Sequence, residues 1–297
     1  MKSSIAEDTL PIGRVSATNW QTSRRLISLD RPIVMAILNI TPDSFYDGGE
    51  FWSVENALRR AETLIGEGAD ILDIGGESTR PRSERVTIED EISRVAPVIS
   101  AISGRFQIPI SIDTTKSEVA AAAMDSGAEI INDISGLRFD SQIAHIAAET
   151  NAGLILMHSL GTFETMHTQP PVDDIFTVVL TDFDRAITVA KLSGVAETNI
   201  ALDVGIGFGK TFEQNLELLA KLDRLVAEFA TYPLLVGTSR KSFIGKILDG
   251  ASPAERLGGS IASAIIAIAN GAKIIRVHDV KDTVAAIKVT SAIAGNI

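Results

Sequence analysis

The sequence predicts an α/β fold, a (β/α)8 TIM barrel with a short N-terminal extension. Short apolar runs rich in β-branched residues alternate with longer segments of helical period. Eight such runs in about 265 residues match this barrel in count and size. A doubly wound sheet is the rival, but it usually has fewer strands and a Gly-rich first turn, whereas Asn-Ile-Thr-Pro-Asp follows the first run here. The eight runs are 33–38, 70–75, 108–113, 128–133, 152–158, 199–205, 233–238 and 272–278.

The segments between the runs carry helix signals. In "VENALRRAETLIGEG" an apolar stripe (Ala57, Leu58, Ala61, Leu64, Ile65) ends at two glycines. Thr87 with Asp90 indicates a capped helix start, and Gly127 indicates a helix end. "FEQNLELLAKLDRLVAEFA" shows a broad apolar stripe, and "DTVAAIKVTSAIAG" closes the chain. "GSIASAIIAIANG" is apolar nearly all round and predicts a buried helix, in the core or in an interface.

Two units are predicted, a lead-in segment over 1–31, which could include a short hairpin, and a barrel domain over 32–297. The chain begins without the apolar segment of a secretory signal and has no continuous apolar stretch of membrane-spanning length. It has no cysteine, which excludes disulfides and thiolate chemistry and fits a cytoplasmic protein. Its net charge of −11 argues against general nucleic-acid binding but not against a small anionic ligand.

A polar or charged side chain follows every predicted strand. In a (β/α)8 barrel the carboxyl ends of the strands meet on one face, where the chemistry takes place. Eight polar ends on one face therefore favour a binding site over unrelated caps and surface ion pairs. The residues in chain order are Asn39, Asp73, Asp113, Asn132 with Asp133, His158, Asp203, Ser239 to Lys241, and Arg276 with His278 and Asp279.

The mixture of side chains indicates the kind of ligand. Asp113, Asn132 and Asp203 offer acceptors, which suit a planar heterocycle with adjacent N–H groups. Arg80, Lys241, Arg276 and His278 offer positive charge or donors, which suit a phosphate or a carboxylate. A ligand with a donor-rich head and an anionic tail satisfies both groups.

Three other signals are weaker. "VGIGFGKT" (204–211) resembles a phosphate-binding P-loop, but Val204 stands where that motif needs glycine. The four histidines show no metal-ligand spacing. A Schiff base on Lys241, as in an aldolase, stays open, because a neighbouring Arg240 would help to lower the pKa of that lysine.

Several strings of the chain resemble the dihydropteroate synthase family. They run in the family's order from about Ile33 to the C-terminus, and the specific ones are "NITPDSFYDGG", "GGESTRP" and "TSRKSF", supported by "SIDTTK", "IINDISG", "LMH", "LDVGIGFGK" and "RVHD". The resemblance implies a transferase of folate biosynthesis. The implied reaction joins 6-hydroxymethyl-7,8-dihydropterin diphosphate to 4-aminobenzoate, giving 7,8-dihydropteroate and pyrophosphate. It also implies a homodimer and sensitivity to sulfonamides.

The resemblance also implies roles for single residues. Asp113, Asn132 and Asp203 would hold the donor edge of the pterin, with Lys241 on its far edge and Met157 and Phe208 near the ring. Asn39, Arg276 and His278 would surround the diphosphate, Asn39 through Mg²⁺. Thr79, Arg80, Pro81 and Ser239 would shape the aminobenzoate site. Two loops, around Phe45–Asp47 and Thr79–Arg82, would close over the substrates, and the implied catalytic set is Asp47, Arg80, Lys241, Arg276 and His278.

Some positions depart from the family pattern. Arg82 stands where the family usually has glycine, Ser159-Leu160 follow "LMH" in place of the usual residues, and Gly258 stands where glutamate is common. These departures leave room for a pterin-binding paralogue without synthase activity. A folate-dependent methyltransferase-type barrel is a separate alternative, because such domains share the pterin carboxylates and the first Asn. If strand alternation continues past Val236, Ser239 and Lys241 point alike and Arg240 points away, as a structural residue.

Overall fold

Eight parallel strands close into a barrel in the computed structural model, which describes residues 17–40, 54–78, 83, 85–165, 168 and 170–294. A hairpin, β1 (Asn19–Gln21) and β2 (Leu26–Ser28), precedes the barrel. The predicted fold class is confirmed, and the barrel closes by pairing of the last strand with the first. The barrel strands are β3 (Ile33–Asn39), β4 (Ile71–Gly75), β5 (Ile110–Asp113), β6 (Ile130–Asp133), β7 (Gly153–Met157), β8 (Ile200–Asp203), β9 (Leu234–Val236) and β10 (Ile274–Val277).

Helices connect the strands on the outside of the barrel. Within the described residues they are α1 (Val54–Gly66), α2 (Ile88–Arg105), α3 (Ser117–Asp125), α4 (Gln142–Thr150), α5 (Ile175–Leu192), α6 (Phe212–Ala220), α7 (Leu222–Glu228), α8 (Ser242–Ile247), α9 (Leu257–Ala269) and α10 (Val280–Ala294). The predicted cap at Thr87 is present, since its side chain accepts from the backbone N–H of Asp90. Gly127 has the left-handed φ of 112° that a helix end of this kind requires.

Strand alternation divides the barrel residues into two sets. Every second residue packs outward against the helices, as Val34, Leu72 and Ile112 do. The other set faces the interior. Its lower layer is apolar and consists of Ile33, Met35, Ile71, Ile130, Ile155, Ala201, Leu235 and Ile274. Higher along the same strands the inward positions become polar, and this change places a site at the carboxyl end.

The hairpin lies within the predicted lead-in segment and belongs to the base of the barrel. Trp20 is fully buried among the lower interior layer, together with Leu29. Its indole Nε1 donates to the backbone oxygen of Asn199 at 2.9 Å, which satisfies the one polar atom of the ring. The hairpin therefore covers the amino-terminal end of the strands, opposite the face where the polar residues lie.

Two helix predictions need correction. The segment predicted as one helical stripe after Thr211 forms two helices, α6 and α7, with a break at Lys221, whose φ and ψ of −110° and 22° are not helical. The predicted burial of α9 holds for one face only. Ser260, Ser263, Ala264 and Ala267 are buried, whereas Ile266 is 52% exposed. In the part of the chain that the structure describes, no helix combines the length and the apolarity needed to span a bilayer.

Candidate active site

Inward-facing positions bring the polar strand residues together at the carboxyl end of the barrel. Strand pairing sets Asp113 beside Asn132, and Met157 beside Asp203. Asn39 pairs with Gly75, whose lack of a side chain leaves room there: a Cβ on Gly75 would lie 3.6 Å from Asn39 Oδ1 and 3.6 Å from Asp113 Cβ. The predicted site residues that lie on strands therefore share the interior side at the carboxyl end of the barrel, as the alternation of side chains along each strand requires.

Arg276 links two carboxylates across the pocket. Its Nε donates to Asp73 Oδ2 at 2.6 Å, and its Nη2 donates to Asp113 Oδ2 at 2.7 Å. Burial works against the charged guanidinium, but Asp73 and Asp113 together raise the pKa of Arg276 above its ordinary value. Burial raises the pKa of Asp113 to about 7 although Arg276 lowers it, and the charge of Asp73 adds to the rise.

Asp73 is the site residue that the sequence-based assignment of roles missed. It is fully buried, and its Oδ2 accepts from Asn132 Nδ2 at 3.2 Å as well as from Arg276. The signal was available: Asp73 lies two residues after inward-facing Ile71, so strand alternation turns it inward too. Its role is to hold Arg276 and Asn132 in the pocket.

Three buried polar atoms near this cluster have no hydrogen-bond partner among the described residues: Asp73 Oδ1, Asn132 Oδ1 and Ser111 Oγ. Asp73 and Ser111 are paired neighbours on adjacent strands. Buried polar atoms are costly when unpaired, so such atoms in a pocket favour a ligand that donates hydrogen bonds.

Asp203 and Lys241 form the opposite side of the pocket. Asp203 Oδ1 accepts from the backbone N–H of Gly205 at 2.8 Å. Burial raises the pKa of Asp203, and the Lys241 ammonium opposes the rise. Burial lowers the pKa of Lys241 to about 8, against the effect of Asp203. Lys241 Nζ donates to the carbonyl of Ile206 and lies 4.3 Å from the centroid of the Phe208 ring.

Ser239 and Lys241 contact different groups, and strand alternation does not relate them. Strand β9 ends at Val236, so its alternation does not reach these residues, and Arg240 between them adopts a left-handed φ of 59°. Ser239 Oγ lies 3.1 Å from Nδ1 of His278 and accepts from its backbone N–H at 3.2 Å, whereas Lys241 contacts Ile206 and Phe208.

Arg240 is a structural residue, as predicted. Its Nε donates to Asp279 Oδ2 at 3.0 Å, and its backbone N–H donates to Ser260 Oγ at 2.9 Å. Arg240 has different contacts from Ser239 and Lys241 because of the turn conformation at Arg240 and not because of strand alternation.

Two polar strand ends lie outside the pocket. Both Asp133 oxygens accept from backbone N–H groups of the next turn, at Ser135 and Leu137. Asp133 thereby holds the turn that follows β6. Buried His158 lies 3.3 Å from Asp182 on α5, on the helix side of the barrel. Burial lowers the pKa of His158 to about 4.

The predicted loop residues Phe45, Asp47, Thr79, Arg80, Pro81 and Arg82 lie outside the described residues. The structure does describe the residues that flank the second of these loops. Glu77 Oε1 accepts from the backbone N–H of Val86 at 2.7 Å and lies 3.2 Å from Lys116 Nζ. This pairing joins the two ends of the segment predicted to shape the aminobenzoate site.

A metal site made by protein carboxylates and histidines alone is absent among the described residues. Mg²⁺ is usually bound by one or two protein oxygen ligands together with substrate phosphates and water. Asn39 offers one amide oxygen at the mouth of the pocket, beside Asp113. The residues present therefore fit a magnesium ion that arrives with a diphosphate.

A closed parallel barrel with paired acids and cations at the carboxyl ends of its strands defines a barrel enzyme for a small polar ligand. The family model of pterin binding enzymes matches residues 35–278, and the chain belongs to this family. A dihydropteroate synthase of Synechocystis is 48% identical over 263 residues, which cover 89% of this chain and 90% of that protein.

Solved structures agree with the sequence comparison. The Xanthomonas albilineans dihydropteroate synthase with 4-aminobenzoic acid has a TM-score of 0.87 and 40% identity, covering 94% of this chain and 99% of that one. The Yersinia pestis dihydropteroate synthase in complex with a sulfonamide drug has a TM-score of 0.87 and 40% identity, covering 94% of this chain and all 100% of that one.

Proposed function

We propose that this chain is a dihydropteroate synthase, condensing 6-hydroxymethyl-7,8-dihydropterin diphosphate with 4-aminobenzoate to give 7,8-dihydropteroate and pyrophosphate. One observation carries the proposal: acceptors for a donor-rich ring and cations for an anionic tail share one pocket, in a chain 48% identical to a dihydropteroate synthase. This reaction is a transferase step of folate biosynthesis.

Ring recognition rests on the buried acids and the amide. A pterin edge carries adjacent N–H groups, and a carboxylate can accept two parallel N–H bonds. Asp113, Asn132 and Asp203 supply these acceptors from three strands. Met157, beside Asp203, and Phe208, 4.3 Å from Lys241 Nζ, would be apolar contacts for the ring. Lys241 supplies a donor at the far edge.

Departure of the diphosphate is the difficult step. The bond between the exocyclic carbon and the diphosphate oxygen breaks, and the pterin ring shares the positive charge that develops on that carbon. Arg276 and His278 stabilise the leaving anion as its charge grows. Asn39 would hold Mg²⁺, which neutralises diphosphate charge when bound.

The nucleophile needs little activation. The aniline nitrogen of 4-aminobenzoate carries a free lone pair near neutral pH, so it attacks the carbon without a strong general base. The new C–N bond forms, and the nitrogen loses one proton to solvent. Ser239, held by His278, contributes to the aminobenzoate side. Phe45, Asp47, Thr79, Arg80 and Pro81 stay predicted members of the loops that exclude water.

A homodimer is the predicted assembly, and an exposed apolar surface supports it. Ile247 of α8, Ile266 of α9 and Val289 and Ile293 of α10 are each more than half exposed. Helices α9 and α10 are neighbours, so the exposed Ile266 and the exposed residues of α10 offer apolar surface that a second copy would cover. Ile266→Glu is expected to convert a dimer to a monomer in sedimentation. The cytoplasmic location stays a prediction.

Release of pyrophosphate tests the proposed reaction. Purified protein with Mg²⁺ and both substrates is expected to release pyrophosphate, and a sulfonamide should compete with 4-aminobenzoate. Arg31→Gln, at the opposite end of the barrel, is the matched control for changes in the pocket, since Arg31 pairs with Asp70 at the surface. Pterin binding without pyrophosphate release would support the paralogue without synthase activity instead.

A further inference from the structure

Lys210 is the lysine of the Gly-rich string 204–211. Its contacts are not the ones that the resemblance of this string to a P-loop would predict. Lys210 Nζ donates to three backbone carbonyls, those of Gly205 at 2.8 Å, His158 at 3.1 Å and Phe208 at 3.2 Å. We propose that Lys210 is a positioning residue for pterin recognition, which holds segment 205–208 against the end of β7 so that Lys241 and Phe208 flank the ring. The inference rests on the proposed function.

The backbone of segment 205–208 explains why a cation is needed there. Gly205 and Gly207 have left-handed φ values of 62° and 86°, which interrupt any ladder of backbone hydrogen bonds. A Cβ on Gly205 would lie 1.9 Å from the His158 carbonyl oxygen, so the two loops approach as closely as glycine allows. The Gly205 carbonyl already accepts from the backbone N–H of Phe208 at 3.1 Å, and Lys210 Nζ adds a second donor to it as well as donors to the carbonyls of His158 and Phe208.

An ammonium group fits this requirement. It has three donors and no acceptor, and here the three donors meet three carbonyls from two different barrel loops. Arginine would spread its donors over a planar fork, and glutamine offers only two N–H groups beside an oxygen that would repel the carbonyls.

The other side of the same segment faces the pocket. The carbonyl of Ile206, between two of the residues that Lys210 holds, accepts from Lys241 Nζ. A Cβ on Gly207 would lie 3.1 Å from Lys241 Cδ, and the Phe208 ring lies 4.3 Å from Lys241 Nζ. Any shift of the segment therefore moves the partners of Lys241.

The ammonium satisfies these carbonyls but also carries a desolvation cost. Burial, followed by the charge of Lys241, lowers the pKa of Lys210 well below its ordinary value. An apolar side chain avoids the cost of desolvating a charge. A second anchor, the hydrogen bond from Gly207 N–H to Asn215 Oδ1 at 2.6 Å, ties the segment to α6 independently. The geometry points to alignment of the pocket as the benefit of the ammonium.

Lys210→Met tests the inference, with Lys191→Met as matched control because Lys191 pairs with Glu197 at the surface. We expect the Kd for 6-hydroxymethylpterin to rise at least about tenfold in Lys210→Met. Hydrogen exchange should accelerate in peptides covering 204–209 and not in the other barrel strands. At saturating pterin diphosphate, the KM for 4-aminobenzoate should stay within about twofold. Lys191→Met should match the wild type in all three measurements.

An unchanged Kd for the pterin overturns the inference, and so does faster exchange throughout the barrel with equal losses for both substrates. If Lys210→Met does not fold, Lys210→Gln is measured in the same way, and wild-type affinity there overturns the inference too. The wild-type chain tests the proposed function separately. If it binds the pterin without releasing pyrophosphate, the synthase assignment fails, and the comparison of affinities still decides the role of Lys210.

Discussion

The guanidinium Nη2 of Arg276 donates a hydrogen bond to Oδ2 of Asp113 at 2.7 Å. This bond uses one of the acceptor positions of Asp113, and the second oxygen and the remaining lone pairs stay available to the N–H groups of a ring. Arg276 Nε also donates to Asp73 Oδ2 at 2.6 Å, so two carboxylates hold the same guanidinium. Asp73 and Asp113 thus hold the guanidinium, whose proposed role is to bind the diphosphate, at the carboxyl end of the barrel.

Arg276→Gln should therefore affect turnover more than ring affinity. We expect kcat to fall on the order of 10²-fold, because the leaving anion loses a charged donor. The Kd for 6-hydroxymethylpterin should change far less when it is measured well above pH 7, because this ligand has no diphosphate for Arg276 to bind. Steady-state kinetics and a binding titration measure the two quantities, with Arg31→Gln as control. Turnover close to that of the wild type would contradict the diphosphate role.

Ring affinity should depend on pH through Asp113. The pKa of this carboxyl is raised to about 7, and pterin N–H donors require the ionised form. Below pH about 7 a proton must leave on binding, so the Kd should rise as pH falls, by at most about tenfold per pH unit for one proton. Asp113→Asn should bind more weakly and with a flatter pH dependence. Titrations with 6-hydroxymethylpterin avoid the ionisation of the diphosphate, and an equal slope in both proteins would exclude Asp113 as the titrating group.

Asp203→Asn should weaken pterin binding by ~1–3 kcal/mol, because the ring loses a charged acceptor. Asparagine keeps an oxygen for the Gly205 N–H, so the turn after β8 is preserved. Asp282→Asn on the exposed side of α10 is the control. Calorimetric titration gives the affinities, and near-wild-type binding by Asp203→Asn would remove Asp203 from the ring site.

His158 should make the fold sensitive to mild acid. Burial lowers its pKa from 6.5 to about 4, so the unfolded chain binds a proton more readily than the folded one. The free energy of unfolding should fall as pH drops from about 6.5 to 4, by roughly 3 kcal/mol in total from this residue. Urea unfolding of the wild type and of His158→Gln over this range measures the difference. Parallel curves for the two proteins would show that His158 is not the cause.

Trp20→Ala should destabilise the barrel by ~3–5 kcal/mol, since it empties a fully buried position under the lower interior layer. The active face lies at the opposite end, so activity well below the melting temperature should be retained. Thermal unfolding and a pyrophosphate assay give the two readouts. A loss of activity without a loss of stability would mean that the base of the barrel communicates with the site.

The inward-facing residues were predictable because strand alternation has a period of two. Asp113, Asn132, Asp203 and Arg276 follow from it, and so does Asp73, which lies two residues after Ile71. The same parity turns Asp133 away from the pocket. In turns, no such periodicity predicts the direction of a side chain. The left-handed Arg240 separates Ser239 from Lys241, and nothing in "GTSRKS" indicates that conformation.

Helix exposure was harder to predict from composition. The apolar α9 is buried on its face of small residues, and the exposed Ile266 faces away from the barrel. The break between α6 and α7 was equally hard to predict, because it falls at Lys221 and lysine is a good helix former.

The sequence by itself determined the barrel, its strand positions and the polar face, because periodicity and composition are local properties of the chain. The tertiary structure alone decided that Arg276 bridges Asp73 and Asp113, that Ser239 contacts His278, and that Lys210 holds carbonyls of two loops. These contacts join residues that are distant along the chain or lie in turns. Their geometry depends on strand register, loop approach and backbone conformation, which become fixed only when the barrel closes.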